Sequence, residues 1–506
     1  MEEFPYHKNL AKTYVDGDVT YDDYLSAFIA CCGEYGIEVH AWVENFYVGT
    51  QTDAKVLQMH PDWVMYNDDG SIVQRNEGGA YIFIDPANKE VQDTLIAYYN
   101  DLFAKHPQVK GLNLDYIRYP VSDTMEDTGY TSAAMQGFYG RLGKEFSAAQ
   151  LADRDKMAKK VKQLFDENYL TGGREEAEEN LRMWTQYRME IVTEYVRRIK
   201  NEVKDANDIL LSTSVFANLT ESTNAKKQDW KTWFANGWID IATPMAYYTA
   251  ASDVNTRVQE MILMGGNKCL YYAGIASSYS GLPAWQNKEH IEASYHAGAS
   301  GYVIFCSTQI LGHEDVQTAL SSGVNSKWAV LPHGDINGIL QACFEDILDK
   351  AERIYIPAGG MSQADKTALE GILGEIAKMD DEDAVAIYKI QRRLEELSNS
   401  EIKNYSKGYS RQRITEQLNE LSDILDARMS MQLIADGQWD PETDARRPVV
   451  TENGVFSPEE NDEPAGPTEP TPSTEPTQEP ELNFFQRIIK AIVDFFRKLF
   501  GWIMGD

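Results

Sequence analysis

Three short apolar runs each end on a carboxylate, and the residues beside those carboxylates are of kinds that shift protons or tune charge. In KGLNLDYIRYP (110–120), Leu112 and Leu114 alternate with Asn113 and Asp115, the period of a strand with two unlike faces. Tyr116, Arg118 and Tyr119 follow at once, and Pro120 stops the run. An arginine this close favours the ionised carboxylate, so Asp115 reads as a nucleophile or base. The alternative is an Asp–Arg pair that orders a loop. In IEVHAWVENF (37–46), Val39, Ala41 and Val43 form one side, and Glu38, His40, Trp42 and Glu44 the other. Apolar neighbours such as Trp42 and Phe46 would raise the Glu44 pKa and fit it to donate a proton. AYIFIDP (80–86) places Tyr81, Phe83 and Asp85 on one side. Asp85 is then either the second catalytic acid or the cap of the turn at DPANKE.

No metal triad, phosphate loop or nucleophile elbow is present in the sequence, so neither a metal nor a cofactor is expected. NDDG (67–70) reads as a hairpin turn, and HGDINGIL (333–340) as a helix cap rather than a calcium loop.

The elements that must position these groups alternate along the chain. Residues 1–20 are loop-like. Tyr21 to Tyr35 has helical spacing and ends at Gly36, and its adjacent Cys31 and Cys32 read as core thiols. Strands are expected near residues 38, 81, 111, 209, 240, 269 and 302, with helices at 88–106, 178–204 and 229–237 between them. Such alternation means parallel pairing with crossover helices. A closed α/β barrel of the (β/α)8 TIM type needs eight strands, so the first is expected to lie ahead of residue 1. Residues 121–180 read as an irregular, charge-rich insertion forming a lid or rim of the barrel, which spans 1–328. A small all-α domain follows at 333–436, then a disordered Pro/Thr/Glu-rich linker at 437–482. At 483–504 an amphipathic helix sets Phe485, Ile488, Ile489, Ile492, Phe496 and Leu499 on one face. Its charges rule out a transmembrane span, leaving a membrane-surface or docking contact, or packing back on the protein.

A net charge of −32 over 506 residues argues against nucleic-acid binding. The five cysteines fit neither a zinc spacing nor a disulfide framework. The polar, acidic start MEEFPYHKN is not a secretory signal. The sequence leaves the oligomeric state open.

KGLNLDYIRYP and IEVHAWV, together with IFIDPANKEV, MWTQYR (183–188), LSTSVF and DWKTWFANGWIDIATPMAYY, resemble the glycosyl hydrolase-like 10 family over about residues 5–310. The resemblance implies a TIM-type barrel that hydrolyses glycosidic bonds in a bacterial envelope or other amino-sugar polysaccharide. Such hydrolysis typically needs one carboxylic acid and one carboxylate; Asp115 is the first choice for nucleophile or base, with Asp85 or Glu44 as candidate partner, although the family's pattern does not require an acid at Glu44. Asn113, Tyr116, Tyr247 and Tyr248 are then candidates to hydrogen-bond sugar hydroxyls. Trp42 and Trp230 offer stacking faces, while His40 and Arg118 complete the expected substrate-binding set. Family and linker together point to the cell envelope or exterior, and a start upstream of this chain's own would reconcile that location with its lack of an export signal. The rival reading is a non-catalytic glycan-binding or scaffold protein of the envelope.

Overall fold

The computed structural model describes residues 14–458, apart from short segments at 17–18, 22, 51–53, 75–79, 122–126, 278–280, 323–329 and 380–382. The tail helix expected at 483–504 and most of the expected linker lie outside the described residues, as does the strand expected ahead of residue 1.

The fold is α/β. Six parallel strands form one sheet: β1 (His40–Glu44), β2 (Gly111–Asp115), β3 (Leu210–Phe216), β4 (Ile241–Met245), β5 (Leu270–Ile275) and β6 (Gly301–Ile304). They lie side by side in chain order, so β1 and β6 are the two edges among the described residues. The alternation read from the sequence sets the faces. Leu112, Leu114, Leu211 and Val215 are fully buried against outer helices, whose Ile96, Tyr99, Val192 and Tyr195 complete the main core. The intervening polar residues point the other way, into the curl of the sheet.

The strand at Tyr81–Phe83 corrects the count of seven. It pairs antiparallel with Tyr47–Gly49 and Val73–Gln74 in a separate three-stranded sheet, and β1 pairs directly with β2. A parallel neighbour requires a crossover of a dozen or more residues, usually a helix. Between Glu44 and Tyr81 the described helices are only Lys55–Met59 and the turn Pro61–Trp63. The return to the sheet is made instead by the 17-residue helix Lys89–Lys105.

Three other expectations change. The insertion after β2 is helical rather than irregular, with Ser132–Arg141 and Arg154–Lys162 closing on the start of helix Gly173–Ile199 around Tyr130, Phe138, Met157, Val161 and Trp184. Residues 14–16 and 19–21 form a hairpin, and Cys31 is exposed on a helix with no buried residue.

The C-terminal helices Ile336–Lys350, Gln363–Ile376, Ala384–Glu396 and Gly408–Ala435 share a second core. Asp335 caps the first of them by accepting from Gly338 N, as the sequence suggests. Order continues past 437. Trp439 and Val450 are buried in this core, and Val449–Thr451 pairs with Gly454–Phe456. Helix Gly408–Ala435 packs Ala427 and Met431 on Leu270 of β5, and Trp238 donates to Glu442 at 2.6 Å.

Candidate active site

The concave face of the sheet lines a cavity of about 800 Å³. At its upper end, where the parallel strands finish, β2 delivers Asp115. The carboxylate accepts from Tyr116 N at 2.7 Å and from the Trp42 indole N–H at 3.0 Å. Its backbone carbonyl accepts from Asn45 N at 2.9 Å and Asn45 Nδ2 at 2.8 Å, and Tyr99 holds the Asn45 amide in turn at 2.9 Å. The two Asn45 donations to the Asp115 carbonyl fasten the ends of β1 and β2 together. Tyr116 then takes a positive φ of 46°, which turns the chain sharply away from the strand and aims its N–H back at Asp115.

Burial raises the Asp115 pKa, against the opposing pull of the two hydrogen bonds and the Arg118 charge. The arginine's effect thus has the expected sign, but desolvation outweighs it. Glu44 stands level with Asp115 in the β1–β2 register, so both side chains leave the same face of adjacent strands. It is exposed at the rim, and its pKa is raised by desolvation and then by the Asp115 charge. Both carboxyl pKa values are therefore raised, that of Asp115 against the pull of its two N–H donors and that of Glu44 with no opposing donor.

An aromatic wall stands over this pair. Trp42 is 56% exposed and meets Phe305 edge-on with centroids 6.4 Å apart, and Phe305 packs on Tyr247 at 5.6 Å. Below them the lining is a polar chain. Asn113 Nδ2 donates to Ser212 at 2.9 Å, Ser214 donates to Asn113 Oδ1 at 3.0 Å, and the Ser214 and Thr243 hydroxyls are 3.3 Å apart. Exposed aromatic faces above fixed hydroxyls and amides suit a ligand with apolar ring faces and polar edges.

Asp115, Trp42, Asn113, Tyr247 and His40 therefore share one cavity, His40 at its opposite end beside Glu38 and His333. The others do not line it. Asp85 is 1% exposed and accepts from Thr131 Oγ1 at 2.6 Å and Ala87 N at 2.9 Å; it caps the turn, which is where its antiparallel strand leads. Tyr116 stacks on Tyr47 with centroids 4.7 Å apart, and the buried Arg118 guanidinium lies 4.6 Å over the Tyr116 ring. Trp230 is fully buried behind the sheet, donating to Phe216 O at 3.1 Å. Tyr248 is half-buried against Ala246, Val254 and Val258.

Sequence reasoning missed Ser212, Ser214 and Thr243, although each is the polar member of an alternating pair in LLSTSVF and IATPM. It also missed Phe305, which directly follows β6 as Asp115 ends β2, and Asn45, whose role is set by a backbone it does not adjoin in sequence.

A family model described as Glycosyl hydrolase-like 10 matches residues 4–289, the stretch that holds β1 to β5. Among solved structures, the chain is similar to the glycoside hydrolase domain of PgaB (BpsB) from Bordetella bronchiseptica, with 15% identity over 56% of this chain and 74% of that one, at a TM-score of 0.34. Among curated proteins nothing matches the chain.

Proposed function

The chain belongs to the glycosyl hydrolase-like 10 family, and from that premise we propose that it is a glycoside hydrolase acting in the cavity beneath Trp42 and Phe305. The observation that carries the reading is Asp115, a desolvated carboxylate held by two N–H donors at a strand end, with Glu44 electrostatically coupled to it. In this reading Asp115 is the charged partner, attacking the anomeric carbon or activating water. Glu44, whose pKa is raised by desolvation and the Asp115 charge, donates to the leaving oxygen. Trp42 then has two tasks, since its ring faces the sugar while its N–H holds Asp115 in place. The substrate class we assign is an amino-sugar polysaccharide of the bacterial envelope, and the sheet is read as part of a (β/α)8 barrel.

One observation favours a second reading as a glycan-binding scaffold: of the three carboxylates singled out in the sequence, only Asp115 lines the cavity. The two readings separate on Glu44→Gln. Reducing-end release from peptide-free amino-sugar polymers should fall at least a hundred-fold in a variant that still binds the polymer, as expected for loss of a general acid. A folded parent that binds glycan and releases no reducing ends supports the scaffold.

A further inference from the structure

At the end of the cavity opposite Asp115, three side chains converge that play no part in that chemistry. Glu38 lies just ahead of β1, His40 opens β1, and His333 lies in the segment before helix Ile336–Lys350. One carboxylate oxygen of Glu38 is 2.8 Å from His333 Nε2 and 3.4 Å from His40 Nε2. One donor atom from each residue lies within 4.8 Å of the other two. These separations bracket the roughly 3.3 Å between neighbouring ligands of a tetrahedral zinc ion with bonds near 2 Å.

The surroundings hold the two rings in place. His333 is 8% exposed, and its other nitrogen, Nδ1, is 3.0 Å from the Tyr272 hydroxyl. That is the outer partner which fixes the tautomer of a ligating histidine. His40 lies against Gly111 of β2, where a Cβ would come within 2.4 Å of its Nδ1, so the glycine is what admits the ring. All three residues face the cavity, which leaves a further coordination position open to it.

We propose that Glu38, His40 and His333 bind one divalent transition-metal cation of the zinc class, clamping the β1 edge of the sheet to the segment that leads into the C-terminal helices. Two imidazole nitrogens and one carboxylate oxygen favour Zn²⁺ or Co²⁺ over Mg²⁺ and Ca²⁺, which take oxygen ligands. His40 and Glu44 stand at opposite ends of β1, about 13 Å apart at 3.3 Å per residue. The cation therefore braces the fold and takes no part in reaction at Asp115, and the proposal stands whether or not the chain hydrolyses glycans.

The test uses the full chain stripped with a chelator and titrated with Co²⁺ by visible absorption, with Zn²⁺ followed in parallel by thermal unfolding. The expected result is one saturable equivalent with tetrahedral d–d bands, and a Tm that rises with Zn²⁺ but not with Mg²⁺, as for any ligand bound by the folded state alone. His333→Ala and His40→Gln should abolish the bands. Tyr272→Phe should keep them and weaken affinity roughly ten-fold. His40 is half-buried on an edge strand, so His40→Gln decides the matter even if His333→Ala does not fold. Absence of saturable binding in the parent overturns the proposal. So does binding of parental strength in folded His40→Gln, which would place the cation elsewhere.

Discussion

Replacing Asp85 by asparagine should change the pH dependence of folding in a way that the turn-capping role requires. Asp85 is 1% exposed, and burial pushes its carboxyl pKa up to about 6, against the hydrogen bonds from Thr131 and Ala87. An unfolded aspartate titrates near 3.9. The folded value is the higher one, so this group's contribution to stability is fully present below the unfolded pKa. It is lost as pH rises through about 6. The gap of about two units corresponds to a total of about 3 kcal/mol, of which about 1.4 kcal/mol is lost between pH 5 and pH 7.5. Asparagine can still accept from Ala87 N but must make the Thr131 hydroxyl turn, a cost of about 1 kcal/mol that does not vary with pH. Urea unfolding of parent and Asp85→Asn at pH 5 and pH 7.5 isolates the term, because every other titrating group cancels in the difference. The variant should gain about 1.4 kcal/mol on the parent across that interval. An unchanged difference at the two pH values would refute the assignment of a buried, proton-holding Asp85.

Three further outcomes follow from the geometry. Trp42→Phe keeps an aromatic ring but removes the 3.0 Å N–H donation to Asp115; the Asp115 pKa should rise further, read by carboxyl NMR titration and as an equal upward shift of the acid limb of any hydrolytic activity. Trp439→Ala should cost about 3–5 kcal/mol in the thermal or urea transition, because Trp439 is 5% exposed in the C-terminal core; a neutral result would detach 437–457 from the folded unit. Gly274→Ala would set a Cβ 2.7 Å from the Pro244 carbonyl oxygen of the neighbouring strand, so β4 and β5 must part, at about 1–3 kcal/mol in the same assay.

The parts of this fold legible in the sequence are those that local periodicity dictates. Leu112 and Leu114 against Asn113 and Asp115 gave the two faces of β2, and the same period in 37–44 brought His40, Trp42 and Glu44 to one side. Periodicity does not say which strand is the neighbour. Tyr81, Phe83 and Asp85 alternate equally well in a parallel or an antiparallel sheet, and the misplacement of Asp85 follows from that ambiguity. Trp230 was misread because a six-residue helix carries too little pattern to reveal which side is covered. Helical order in the insertion was hidden by its charges, although Tyr130, Phe138, Met157 and Trp184 supplied the apolar positions. Encounters between distant segments leave no local signal. Phe305 above Asp115, and His333 beside Glu38, depend on closure of the fold over nearly the whole sheet.

Hydrolysis by way of Asp115 is tested most directly by the rate of reducing-end release from amino-sugar polymers in parent and Asp115→Asn, with far-UV circular dichroism on both. Asparagine keeps the shape, and its one amide oxygen can still accept from Tyr116 N while its Nδ2 replaces the oxygen that accepts from Trp42, so the variant should fold and bind glycan. Its hydrolysis should fall at least a thousand-fold, as expected when a nucleophile or base is removed. Parental rates in a folded Asp115→Asn would contradict the assignment and move the chemistry away from this cavity.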